Sequence, residues 1–268
     1  MDFSVKDFNV RLRTIRLREA LIAIILAFII SMVLLIIFPI PDETGDILFG
    51  ISLFLILLFF IWSLRGTHGL GEDFSRVFER DNFREIIYIM ILNILFASIV
   101  VAFFSSFDAL YNLLYPETPI PMLDFIPTYT DPISFILDFI LSVFFAPVLE
   151  ELFFRGVLFN RLKIRTGIVA AMIISSFIFA IGHEFGGITS AFLFGMCMCV
   201  IYLKTDNILM TISIHFLNNL LAVILEAGNF DAFLFQMPFV FITFLVSILS
   251  GLFIIIYLYR ETKVLTAS

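Results

Sequence analysis

The chain has 268 residues, is 61% hydrophobic with 36 phenylalanines, and has a mean hydropathy of +1.10. Soluble domains run at roughly 45–50% apolar, so a water-soluble enzyme is excluded and an all-α polytopic membrane protein is indicated, as a single domain over residues 1–268. The formal net charge of −7, with no basic patch, points to no nucleic-acid partner.

Apolar runs of about 18 residues or more mark helical spans. In chain order they cover Ala20–Phe38, Ile47–Leu64, Ile86–Phe104, Ile133–Val157, Gly167–Phe185, Ile188–Leu203, Ile208–Leu225 and Phe233–Tyr259. That gives about eight transmembrane helices, the fifth and sixth nearly touching at Gly186–Gly187. The Arg-rich lead before the first span resembles a signal peptide. The span is too long for one, however, and ends in Phe38-Pro39-Ile40-Pro41 without a small-residue cleavage site, so an uncleaved helix is expected. All 16 Lys and Arg fall before the first span, between the second and third, at or after the end of the fourth, after the sixth, or after the eighth. The alternate loops hold acids: Asp42, Glu43 and Asp46, then Asp108, Glu117, Asp124 and Asp131. This asymmetry places both termini in the cytoplasm, in what is expected to be the cell membrane.

Two connections stand out. Arg65–Glu85 carries mixed charge, and 73–85 interleaves it with Phe74, Val77, Phe78 and Phe83, the pattern of a helix lying on the membrane surface. Ser105–Pro132 contains five of the nine prolines and reads as an irregular cap. Cys197 and Cys199, two apart on one helix, point to different faces and read as buried reduced thiols.

Against this background the ionisable residues inside the spans are costly, at roughly 2.5–3.5 kcal/mol each at the bilayer centre, and so mark function. In Glu150-Glu151-Leu152-Phe153-Phe154-Arg155, Glu151 precedes Arg155 by four residues, the favourable order for an ion pair on a helix. Glu150 is rotated about 100° from that pair. Glu151 is therefore the partner of the arginine, and Glu150 is left to project into a site as a proton acceptor. The bland alternative is a solvated helix end with a snorkelling arginine. Phe179 and His183 are four apart, and a lone intramembrane histidine is commonly just an interhelical hydrogen bond. His215 and Asn219 share one helix face about 6 Å apart, where both can donate to a developing oxyanion, or simply join helices. Glu184 and Asn218 receive no catalytic role. The set holds an acid–base pair and donors but no serine or cysteine nucleophile, so direct attack by water on an amide is the simplest chemistry.

Glu150-Glu151-x-x-x-Arg155, Phe179-x-x-x-His183 and His215-x-x-x-Asn219, in this order on successive hydrophobic helices, resemble the three motifs of the CAAX prenyl endopeptidase and bacteriocin-processing family of intramembrane glutamic proteases. The motif-bearing core spans 133–225. The resemblance implies helices enclosing a polar cavity, water activation by Glu150 with His183, and oxyanion stabilisation by His215 and Asn219. It implies a supporting role for Glu151, Arg155 and Phe179. It also implies no metal or other cofactor, and a membrane-associated protein or peptide as substrate, prenylated in part of the family. Two readings compete with it. Two histidines and a glutamate could hold a catalytic zinc, although the H-E-x-x-H helix is absent. A non-proteolytic membrane scaffold or regulator could use the cavity for binding alone.

Overall fold

The computed structural model describes residues 1–38, 44–122 and 132–267. The Pro39–Pro41 stop and the half of the proline-rich cap holding Asp124, Pro127 and Asp131 lie outside them. Among the described residues the chain is helical without a named strand, the one β-type contact being an isolated bridge between Asp7 and His68. The order is α1 (Phe8–Thr14), α2 (Leu17–Ile37), α3 (Thr44–Leu64), α4 (Leu70–Val77), α5 (Arg80–Ala97), α6 (Ile99–Leu114) and α7 (Pro132–Asp138). Then come a π-helical stretch Phe139–Phe145, α8 (Ala146–Glu151), a second π-helical stretch Leu152–Phe159, and α9 (Asn160–Thr166). The chain closes with α10 (Ile168–Ala180), α11 (Ile188–Thr205), α12 (Ile208–Ala227), α13 (Asp231–Leu234) and α14 (Phe239–Ala267).

Six of these helical segments are long and apolar enough to cross a membrane. The protein is an integral membrane protein. Helix α11 is its central column: 56% of its apolar window is buried inside the bundle, against 17–33% for the other five. The rest present Leu, Ile and Phe outward, as expected where lipid replaces water around the bundle.

The observed elements differ from the sequence expectation where polar side chains intervene. The surface helix expected over 73–85 is two elements. Helix α4 stops at Phe78, the amide of Asn82 donates to the Arg76 carbonyl at 2.7 Å, and α5 starts at Arg80 and runs into the membrane. Helix α6 continues to Leu114, well into the stretch expected to be irregular. From its last turn Asn112 ties down the chain that follows, donating to the Ile120 carbonyl at 3.0 Å and accepting from its N–H at 2.7 Å. The last span is preceded by a separate short helix, α13, rather than beginning at Phe233. Most consequentially, the fifth span shrinks to Ile168–Ala180. Thirteen residues reach only about 20 Å, too short for a hydrocarbon core of about 30 Å. The polar turn after it, residues 181–185, is exposed at the end of α10.

From 132 to 166 the helix winds without interruption, and its two wide stretches have physical causes. Pro147 has no N–H, and its ring crowds the carbonyl four residues back. The preceding π-helical stretch opens that turn, and the Ala146 N–H reaches the Leu141 carbonyl, five residues behind. In the second stretch the freed carbonyls are taken up by Asn160, whose amide donates to Arg155 O at 2.8 Å and Gly156 O at 3.0 Å. Such wide turns tend to occur at functional sites.

Gly156 is where this helix meets α1. A β-carbon there would come within 2.5 Å of Leu12 Cδ2 and 2.7 Å of its Cγ. Gly156→Ala is expected to destabilise the protein by about 1–3 kcal/mol through overpacking. Added Leu12→Ala should recover part of that loss in a thermal-inactivation assay. An unaltered midpoint in the single variant would show that the contact is not tight.

Candidate active site

Glu151 sits at the centre of a buried polar relay. Its Oε1 accepts from Arg155 Nη1 at 2.9 Å and lies 2.9 Å from His215 Nδ1. Glu151 is 0%, Arg155 1% and His215 3% exposed, which excludes the snorkelling alternative for this arginine. Arg155 is held from a third side by the Gly195 carbonyl of α11, at 3.3 Å from Nη2. Gly195 permits this approach. A β-carbon on it would lie 2.9 Å from Ser176 Cβ, so α10 and α11 cross closely at small residues.

The arginine-paired Glu151 carboxylate accepts hydrogen bonds, so the proton shared with His215 belongs on Nδ1, leaving Nε2 to face the other carboxylate. That carboxylate is Glu150, with Oε2 3.7 Å from His215 Nε2 and its side chain 32% exposed. One histidine thus spans two consecutive acids with opposite environments. The sequence reading paired Glu151 with Arg155 and left Glu150 to project, and it had no means to place His215 against both.

Phe179, itself 2% exposed, is the apolar hub. Its ring lies 4.6 Å from the Arg155 guanidinium, 4.7 Å from the His183 ring and 5.8 Å from the His215 ring, edge-on to the last. Phe194 of α11 closes the other side of His215 at 5.2 Å. Both histidines are close enough to Glu150 to act on its charge.

His183 is not on a helix, as its spacing suggested, but in the turn beyond the end of α10. Its N–H bonds the Ala180 carbonyl at 3.0 Å, and its Nδ1 lies 3.0 Å from the Phe179 carbonyl. A carbonyl only accepts, so Nδ1 carries the proton and Nε2 retains a lone pair. Glu184 is exposed, and its carbonyl caps the turn by accepting from the Gly187 and Ile188 N–H groups.

Asn219 lies on the same face of α12 as His215, and its Nδ2 donates to the Ser142 carbonyl in the first wide stretch, at 2.8 Å. Its Oδ1 is approached by Asn218 Nδ2 at 3.3 Å, and Asn218 Oδ1 accepts from Asn93 of α5 at 2.7 Å. Asn218 thus joins α12 to α5.

Several contributors were invisible in sequence. Thr211, one turn before His215, places its hydroxyl beside Glu151 while donating to Ile208 O at 2.9 Å. Its i−4 spacing from His215 was the only available signal. Ser142, Phe194 and Gly195 contribute a backbone carbonyl, a ring and a close approach, none with a motif of its own. Cys197 and Cys199 are buried free thiols on α11, outside this relay. Among the described residues no three His, Cys, Asp or Glu side chains are grouped as a metal-holding set.

Residues 132–221 match the family model described as Type II CAAX prenyl endopeptidase Rce1-like, and this segment contains every residue of the relay. The segment belongs to the CAAX protease family. No curated protein and no solved structure gives a significant match. The CAAX protease segment begins with α7 and ends within α12, so the relay and both wide helical stretches fall inside it. Membership places the protein, coarsely, among membrane-embedded peptidases.

Proposed function

We propose that the protein is an intramembrane endopeptidase of the glutamic type, acting as one protease domain. Its substrate is a membrane-associated protein or peptide, with a prenylated C-terminal segment as the first class to test. The observation that carries this reading is the partly open Glu150 carboxylate facing a histidine whose opposite nitrogen is fixed by the ion-paired Glu151.

In this scheme a water between Glu150 and His183 loses a proton to Glu150 as its oxygen attacks the substrate carbonyl carbon. His183 Nε2 accepts from the same water and aligns it. The carbonyl oxygen becomes an oxyanion in a site walled by Phe179 and Phe194, where a preset donor is worth more than in bulk water. His215, through Nε2, and the second Asn219 N–H, beyond the one given to Ser142, supply the donors. The C–N bond then breaks, the proton held by Glu150 passes to the departing amine, and the new carboxylic acid gives the water's second proton to His183 Nε2, leaving a carboxylate and a free amine. Glu151 and Arg155 position His215 and touch no substrate atom.

The test uses purified full-length protein in detergent, wild type beside Glu150→Ala, each offered a C-terminal reporter peptide in prenylated and unprenylated forms. Cleavage of the prenylated peptide by the wild type alone is expected, and it should be unaffected by a strong chelator. Loss of activity on chelation with recovery on added zinc would replace this scheme with a metal-dependent one. Cleavage by Glu150→Ala at the wild-type rate would refute the glutamic assignment. Absence of cleavage of both forms by the wild type would remove the prenylated class.

A further inference from the structure

Away from the relay, four arginines gather where the start of α2 meets α9. A cavity of about 500 Å³ opens there, lined by Arg16, Leu17, Arg18, Arg161, Leu162 and Arg165. Four guanidinium groups from two distant parts of the chain face one space that no carboxylate lines. Arg161 is fixed, its Nη2 donating to Arg13 O at 2.7 Å and Ile15 O at 3.0 Å, and its Nε to Ile15 O at 3.2 Å. Those carbonyls are neutral and leave its charge uncompensated. Arg16 has only a long contact of 4.0 Å with Glu19. Glu19 is itself engaged elsewhere, its two oxygens each 3.1 Å from the N-terminal ammonium and one 3.0 Å from the Arg16 N–H. Arg18 and Arg165 are exposed and make no hydrogen bond or ion pair among the described residues.

Four like charges around one concavity repel unless an anion enters. The surroundings favour an amphiphilic anion. Leu17 and Leu162 form part of the wall. Leu21, Ile22 and Ile25 of α2 lie 42–58% exposed below it, and Ile164 of α9 is 76% exposed. A soluble anion would leave that apolar surface unused, whereas acyl chains would cover it.

We propose that this cavity binds the phosphate headgroup of an anionic phospholipid, with Arg18 and Arg165 as its two arms and Arg161 as the preset wall. Guanidinium forks suit two phosphate oxygens at once, and basic pockets between membrane helices are suited to such headgroups. A headgroup there would join α2 to the helix that carries Glu150, Glu151 and Arg155. The inference does not depend on the protease reading.

Native mass spectrometry of the full-length protein in detergent, titrated with phosphatidylglycerol or phosphatidylcholine, tests it. One phosphatidylglycerol should remain bound where phosphatidylcholine does not. Arg18→Gln/Arg165→Gln should weaken it roughly thirty-fold, the product of about five-fold per arginine at an anionic surface. Arg80→Gln/Arg84→Gln, which removes the same charge elsewhere, should leave it largely unchanged. Equal weakening by both pairs, equal retention of both lipids, or displacement of the lipid by inorganic phosphate at matched concentration would each overturn the proposal. If the Gln pair elutes as aggregate, Arg18→Lys/Arg165→Lys carries the test. It keeps the charge and loses the forks, so weaker binding is expected and unchanged binding overturns it.

Discussion

Glu150→Gln is expected to lower the cleavage rate by roughly 10²–10⁴-fold, the usual contribution of a positioned acid–base group, while leaving the protein folded. The side chain is about one-third exposed, and its nearest ionic neighbour is His215 Nε2 at 3.7 Å, a contact long enough that an isosteric amide strains nothing. Glu151→Gln makes the contrast. That residue is fully buried between Arg155 and His215, so a neutral amide leaves the guanidinium without its counter-charge and loosens the histidine. Activity and stability should fall together at Glu151, and activity alone at Glu150. Initial rates and thermal-inactivation midpoints on the two variants decide it. A Glu150→Gln protein retaining more than about a tenth of wild-type activity would remove Glu150 from the chemistry.

The largest effect on stability is expected at Arg155. Arg155→Ala strips a buried carboxylate of its partner, and breaking such a pair costs about 3–5 kcal/mol because the remaining charge stays desolvated. It also removes the bond to the Gly195 carbonyl and the ring contact with Phe179, which tie α10 and α11 to the helix carrying the acids. A second substitution separates charge from packing. Glu151→Gln/Arg155→Met removes both charges while keeping an oxygen for His215 Nδ1–H, and should recover most of the lost stability, since apolar replacement of a whole buried pair is frequently neutral. Denaturation in detergent, followed by loss of monodisperse elution, measures both variants. A double variant as unstable as Arg155→Ala would assign the effect to packing against Phe179 rather than to the stranded carboxylate.

Much of this protein is legible in its sequence because lipid imposes a simple rule. Every backbone polar group must be satisfied within a helix, so long apolar runs become helices, and α2, α3, α11 and α12 lie within a few residues of where hydropathy puts them. The Glu151–Arg155 pair is equally local. A separation of four along a helix brings the two groups together, and even a wide helical stretch beginning between them leaves 2.9 Å from Arg155 Nη1 to Glu151 Oε1. Isolating the polar residues inside apolar runs likewise needed no structure, because their desolvation is costly wherever they sit.

Only the tertiary structure decided which of these groups meet. Periodicity places His215 on a face of α12 but cannot say that this face turns toward both acids, with Nδ1 at 2.9 Å from Glu151 and Nε2 at 3.7 Å from Glu150. Nor does composition reveal that α10 stops at Ala180, which puts His183 in a turn beyond its end, or that Asn219 donates to a carbonyl of a wide helical stretch upstream of Pro147. Helix formation is settled by neighbours a few residues away, whereas the relay is assembled from residues separated by up to 77 positions, and their meeting depends on how the helices pack.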